Sequence, residues 1–288
     1  MMSWTNGLVD WVEGDTAYLS VVFTWRLPDA YQRAVWYGAQ GFRVRVGGPA
    51  VWAQPKYLAG VAEIGGQVDA LKRHNPRATV ASRGCPVGCY FCIVPKMEGK
   101  EFTLLWDFVP RPILCDNNLS ALSVEYQEHI IRRYQETGTL LEDANSGFEP
   151  LTFDQDTYHR WSVINRGPWR FALDETKEIE DVRRVMAILK DVPYWRKRIY
   201  ILIGNESIAD CYERIAKVIE WGGEPYVQPF ISMTTLEKSP VIKHDWTKRQ
   251  LLDMARWANR WLWRSIPLVE YRSIRSEEPA FAGWKIGV

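Results

Sequence analysis

The sequence predicts an α/β fold assembled from parallel βα units. Three observations carry this. β-rich runs, turns and helical patterns alternate along most of the 288 residues, an order that packs helices outside a parallel sheet. A hydrophobic content of 47% and a charged content of 25% are those of an ordinary globular chain with a core to bury. No repeat at solenoid periods and no low-complexity segment competes with that reading.

In chain order, AYLSVVFT (17–24) is a buried strand, DAYQRAVWYGAQ (29–40) a helix, and FRVRVGG (42–48) a second strand ending in a Gly-Gly turn. ATVAS (78–82) is a short strand that runs straight into a cysteine-rich loop. PILCD (112–116), RFALD (170–174), RIYILIG (198–204) and PYVQPFI (225–231) are further strands, with helical patterns near 122–137, 177–190 and 207–221 between them. The last helix, DWTKRQLLDMARWANRWLWR (245–264), puts Leu251, Met254, Ala255, Ala258, Trp261 and Leu262 on one stripe that packs on the sheet. The expected organisation is a small βαβ piece at 1–76, a main domain at 77–232 and a helical extension at 233–288.

No apolar run approaches the roughly 18 residues that span a membrane, and the start, MMSWTNGLVDWVEGD, lacks the basic and apolar regions of a signal peptide. The expectation is a cytoplasmic protein with no membrane partner, whose thiols stay reduced, so that clustered cysteines indicate metal rather than disulfide. A net charge of +1 gives no global attraction to nucleic acid or anionic lipid. The 15 tryptophans are read as core filler and cover for apolar surface.

The loop ASRGCPVGCYFCIVPKMEGK (81–100) holds Cys85, Cys89 and Cys92, three of the five cysteines. Gly84, Pro86 and Gly88 favour a tight, irregular path that turns the sulfurs toward one region. A structural zinc site wants four protein ligands, and no fourth Cys or His lies nearby. An iron–sulfur cluster takes thiolates as its standard ligands, and three thiolates for four irons leave one iron open. Zinc and a plain buried thiol group stay as competing readings.

CPVGCYFC resembles the signature of the radical S-adenosylmethionine (SAM) superfamily, including the aromatic Phe91 just before the third cysteine. The resemblance covers residues 78–232 and implies a partial (β/α)6 barrel. It implies a 4Fe-4S cluster on Cys85, Cys89 and Cys92, with SAM chelating the fourth iron. The activity it implies is reductive cleavage of SAM to methionine and a 5′-deoxyadenosyl radical that abstracts hydrogen from a substrate. In such a barrel, ligands sit at the C-terminal ends of the strands. The resemblance therefore places Asp116, Asn117 and Asn118 (LCDNNLS) at the SAM amino group and ribose, with an Asx-rich helix cap as the bland reading. Gly204, Asn205 and Glu206 (IYILIGNES) go to adenine; Glu149 and Asp174 lie near two other strand ends, with Asp174 alternatively capping the helix from Glu175; Arg170 is a candidate for the SAM carboxylate. RVRVGGPAV resembles the last unit of the cobalamin-binding domain that precedes many such barrels, but its Asp-x-His-x-x-Gly signature is absent, so residues 1–76 are read as a truncated remnant.

Cys115 and Cys211 are read as structural thiols, and with no flavin or second-cluster motif the electron must come from an external donor of flavodoxin or ferredoxin type. Arg249, Arg256, Arg260 and Arg264, at spacings of seven, four and four, line one face of the last helix beside Trp246, Trp257 and Trp263. That pattern suits a nucleic-acid-modifying enzyme, but near-zero net charge favours a solvated face, and hence a peptide or small metabolite as the unidentified substrate. The reading from a different class is a non-catalytic iron–sulfur or zinc scaffold or electron carrier.

Overall fold

The computed structural model describes residues 4–65, 70–274 and 276–284. The chain divides into two compact units, Met1–Asn117 with Ile231–Ser239, and Asn118–Phe230 with Pro240–Val288. The unit that begins at the N-terminus thus continues past residue 76, through the cysteine loop, to Asn117.

The first unit opens with a hairpin, β1 Leu8–Glu13 and β2 Thr16–Val21, in antiparallel register from Leu8↔Val21 to Glu13↔Thr16. α1 Leu27–Ala39 leads to β3 Arg43–Gly47, parallel to β2, and α2 Pro49–Ala53 leads to β4 Glu63–Ile64, parallel to β3. α1 turns Leu27, Ala30 and Ala34, a helical i, i+3, i+7 stripe, onto Leu19, Val21, Val44 and Val46 of the sheet. Each fully buried aliphatic side chain here contributes about 1.5–3 kcal/mol. The strand expected to reach residue 24 ends at Val21, because Phe23 stacks on Trp25 at 4.6 Å and Thr24–Arg26 closes into a 3-10 turn. After a helical turn, α3 Leu71–His74, the expected strand 78–82 bends into two pieces. β5 Ala78–Thr79 precedes the bend and β6 Ser82–Arg83 follows it. α4 Val94–Met97 and β7 Thr103–Leu104 come next, and β8 Ile113–Leu114 pairs parallel with β5.

The second unit starts with α5 Val124–Thr137, capped by the Ser123 hydroxyl at one end and by left-handed Gly138 at the other. β9 Asp143–Ala144 and α6 Gln155–Ser162 follow, the latter capped by Asp154. Then come β10 Trp169–Ala172, α7 Ile179–Ile188, β11 Lys197–Ile203, α8 Ile208–Glu220 and β12 Glu224–Pro229, in which β10, β11 and β12 pair parallel in that order. Burial alternates along β11, with Lys197, Ile199, Ile201 and Ile203 inside, as a pleated strand requires. α9 Lys248–Asn259 starts at a Thr247–Gln250 capping box and buries Leu251, Met254, Ala255 and Ala258. Its last residue, Asn259, accepts from the Val227 N–H at 2.7 Å and donates to the Val227 carbonyl at 2.8 Å, tying the helix to β12.

Two expectations for that helix are corrected. It ends at Asn259 rather than 264, because Trp261 takes φ 55° and sends its indole N–H to Glu224 at 2.9 Å. Trp261 and Leu262 therefore leave the stripe. The pairings give a mixed α/β protein with parallel strands in both units; a closed six-stranded barrel is not among them. Among the described residues, no helix is long and apolar enough to cross a membrane.

Candidate functional site

The cysteine loop is the tip of a hairpin. β6 and β7 pair antiparallel, Ser82↔Leu104 and Arg83↔Thr103, and the Cys85 N–H extends the ladder to the Gly99 carbonyl at 3.3 Å. Gly84 takes φ +88°, and a Cβ there would run into the Glu101 carbonyl, so only glycine lets the two arms close this tightly. Within the loop, the Cys92 N–H donates to the Cys89 carbonyl at 3.0 Å and α4 begins two residues on.

Two carboxylates hold the loop. Asp116, at the end of β8 and fully buried, accepts from the Ala81 N–H at 2.8 Å and the Ser82 hydroxyl at 2.6 Å, which fixes the entrance of the hairpin. Burial raises its carboxyl from 3.8 to about 6 against those two donors. Glu98 accepts from Arg83 at 3.0 Å, from the Gly84 N–H at 3.0 Å and from the Asn117 amide at 2.6 Å, and that amide also reaches the Gly84 carbonyl at 3.2 Å. Asp116 and Asn117 thus shape the loop from within. Asn118, by contrast, accepts from the Ala121 N–H at 3.2 Å as a turn cap.

None of the five cysteines is in a disulfide. Cys85 and Cys89 are half-buried and Cys92 is exposed. Although the residue is exposed overall, the partial desolvation of its sulfur pushes the Cys92 thiol up, and the Val94 N–H on that sulfur opposes this. Among the described residues, no three Cys, His, Asp or Glu side chains gather as ligands of one ion. A 4Fe-4S cube takes one thiolate per ligated iron rather than three on one ion; Cys85, Cys89 and Cys92 share one closed loop. Phe91 packs edge-on against Tyr90 at 5.0 Å.

Beside the loop, within the same unit, is a cavity of about 1130 Å³. Trp11, Tyr18 and Trp52 wall it on the N-terminal sheet side, and Val80, Leu105 and Trp106 on the hairpin side; Arg83 and Glu98 also border it. His74 lines it too, but its ring is held between the Thr5 and Ser20 hydroxyls at 2.7 and 3.0 Å, and burial lowers its pKa. Both ring nitrogens are engaged, as in a core histidine.

In the second unit the remaining sequence-selected residues sit at or near the ends of β10 and β11. Arg170 forms a two-pronged ion pair with Asp143 at 2.7 and 2.8 Å and donates to the Tyr200 hydroxyl. Gly204 has φ +90°, but the space beside its Cα is taken by Leu251 and the Val241 carbonyl. The Asn205 amide donates to the Asp174 carbonyl at 2.6 Å. Glu206 accepts from the Thr176 N–H and hydroxyl at 3.1 and 2.9 Å and pairs with Arg214 at 3.1 Å. Asp174 does not cap the following helix: Glu175 and Glu178 form the capping box there, and the Asp174 carboxylate accepts from the Leu202 N–H at 3.0 Å.

Burial first, then the neighbouring Glu178, raises Asp174 from 3.8 to about 7, with Glu149 adding to it. Glu149, itself raised by burial and then by Glu178 and Asp181, accepts weakly from the Leu151 N–H. A carboxyl that keeps its proton longer when folded stabilises below its unfolded pKa and loses that contribution as pH rises through about 7. The stability advantage of wild type over Asp174→Asn should therefore fall by on the order of 3 kcal/mol between pH 5 and pH 8 in urea unfolding. A pH-independent difference would count against the raised value.

Sequence reasoning missed two residues. Arg214 is fully buried on α8, donating to the Leu173 and Leu202 carbonyls at 2.7 and 2.9 Å and to the Cys211 sulfur at 3.2 Å. Its signal was legible: a cation inside the apolar stripe of Cys211, Ile215 and Val218. Glu98 had no such signal, because no spacing rule marks it. The four arginines of the last helix do not share one helical face. Arg249 and Arg256 pair with the buried Asp253 at 3.6 and 3.1 Å, and Arg260 and Arg264 lie beyond the helix.

No model of a known protein family matches the chain, and no curated protein matches it. Among solved structures, the fold is similar to that of the radical S-adenosylmethionine methyltransferase TsrM from Kitasatospora setae, solved with cobalamin and a 4Fe-4S cluster bound. The TM-score is 0.56 at 10% identity, over 75% of this chain and 64% of that one. The chain thus spans less than two thirds of that protein's length, and at this identity the likeness is one of fold.

Proposed function

We propose that this chain is a radical SAM enzyme whose cluster is held by Cys85, Cys89 and Cys92. The observation that carries the reading is the closed hairpin tip bearing three thiols outside any disulfide, placed just after the parallel strand β5. Once bound and reduced, a 4Fe-4S cluster there would supply the electron for reductive cleavage of SAM. The chain's own part is to keep three thiols on one rigid turn and leave no fourth protein ligand, so that one iron stays open. The electron is proposed to come from an external donor, and the substrate, a peptide or small metabolite, to occupy the cavity beside the loop. Cobalamin, bound by TsrM, is left out of the reading: the chain holds no histidine before His74, and His74 is engaged by Thr5 and Ser20.

The test is anaerobic reconstitution of the full chain with iron and sulfide. About four of each per chain are expected, lost when Cys85, Cys89 or Cys92 is replaced by Ala and retained in Cys211→Ala. With dithionite and SAM, 5′-deoxyadenosine should form. Stoichiometric zinc with no iron uptake would sink the reading, and a full cluster without SAM cleavage would favour the scaffold or electron-carrier alternative.

A further inference from the structure

Glu98 lies six residues beyond the third cysteine and belongs to no motif, yet it is the most heavily engaged side chain of the loop. Its carboxylate is only 11% exposed and accepts from three donors on two segments: Arg83 and the Gly84 N–H on one, the Asn117 amide on the other. Gly84 is the residue immediately before Cys85, so this one carboxylate ties the first thiolate's backbone to the far arm of the loop. Arg83, its cationic partner at 3.0 Å, is 41% exposed.

We propose that Glu98 is the positioning residue of the thiolate loop, clamping Gly84 next to Cys85 and setting a fixed negative charge that holds the reduction potential of the bound cluster low. The physical basis is general. Cluster potentials follow net charge, hydrogen bonding around the sulfurs and solvent exposure, and an anion at the rim disfavours the added electron. A low potential is what a cluster needs if it is to pass its electron on to a sulfonium. The inference rests on the proposed 4Fe-4S reading, and its test reports separately on each.

The experiment uses the full chain, reconstituted anaerobically, and reads two quantities: iron and sulfide per chain, and the midpoint potential from a spectroscopically monitored redox titration. Wild-type iron content tests the underlying reading. In Glu98→Gln, an amide oxygen still accepts from the loop while the charge is gone, so the potential should move positive with the iron content kept. In Arg83→Gln the carboxylate loses its counter-charge but keeps Gly84 and Asn117, so the potential should move the opposite way. Glu101→Gln, an exposed loop carboxylate outside this network, should leave it unchanged. A cluster-loaded wild type with no shift in either variant, or shifts of the same sign in both, overturns the assignment. If Glu98→Gln does not hold its cluster, the Arg83→Gln shift decides alone.

Discussion

Replacement of Arg214 by leucine is expected to cost about 3–5 kcal/mol of unfolding free energy, the usual penalty for removing one partner of a buried, hydrogen-bonded charge. The guanidinium is completely buried and joins the Leu173 and Leu202 carbonyls, at the ends of two adjacent parallel strands, to the Glu206 carboxylate. Leucine fills much of the volume but leaves two carbonyls and a carboxylate without their donor. Urea unfolding of the cluster-free protein reads the loss directly. A change below about 1 kcal/mol would mean that water replaces the guanidinium at no cost, contrary to the burial.

The second large effect is expected from Asp116→Ala. Its carboxylate is the acceptor for the Ala81 N–H and the Ser82 hydroxyl, all three residues being buried. Depriving buried donors of an acceptor costs about 1–3 kcal/mol each, so for the two donors a loss of about 2–6 kcal/mol follows. Asp116→Asn keeps one acceptor oxygen and should lose less. Because the folded carboxyl is raised to about 6, wild type itself loses stability as pH climbs through that value, and the penalty of the alanine variant should be smaller at pH 8 than at pH 5. Iron uptake is the local readout: a loosened hairpin base should lower it, whereas unchanged uptake with a large stability loss would separate the anchor from the loop's geometry.

The strands and helices were legible where apolar periodicity ran long. β11 alternates cleanly, and α8 and α9 carry strong stripes, so their positions followed from pattern alone, to within a few residues. β1 was not read: its residues past Leu8 are half-buried or exposed, and an edge strand that faces solvent leaves little pattern. The far end of α9 was overread because Trp261 and Leu262 keep the stripe's period after the backbone has left the helix. At the site, cysteine spacing located the loop, while the partners of Asp116, Asn117, Arg170 and Glu206 did not follow from sequence. Each is a polar side chain satisfied by a residue 19 to 35 positions away, and local sequence does not record such pairings.

The two clamps on the hairpin differ in how far along the chain each must reach. Glu98 closes onto Gly84 across 14 residues, whereas Asp116 closes onto Ala81 across 35. On a growing polypeptide both residues of the Glu98–Gly84 contact are present once residue 98 has emerged, and the Asn117 donor joins later. The second waits for residue 116, and at roughly 5–20 residues per second it follows by about one to four seconds. The residues of the short clamp are therefore synthesised before the one that anchors the base of the hairpin, so the order of emergence separates the two contacts in time.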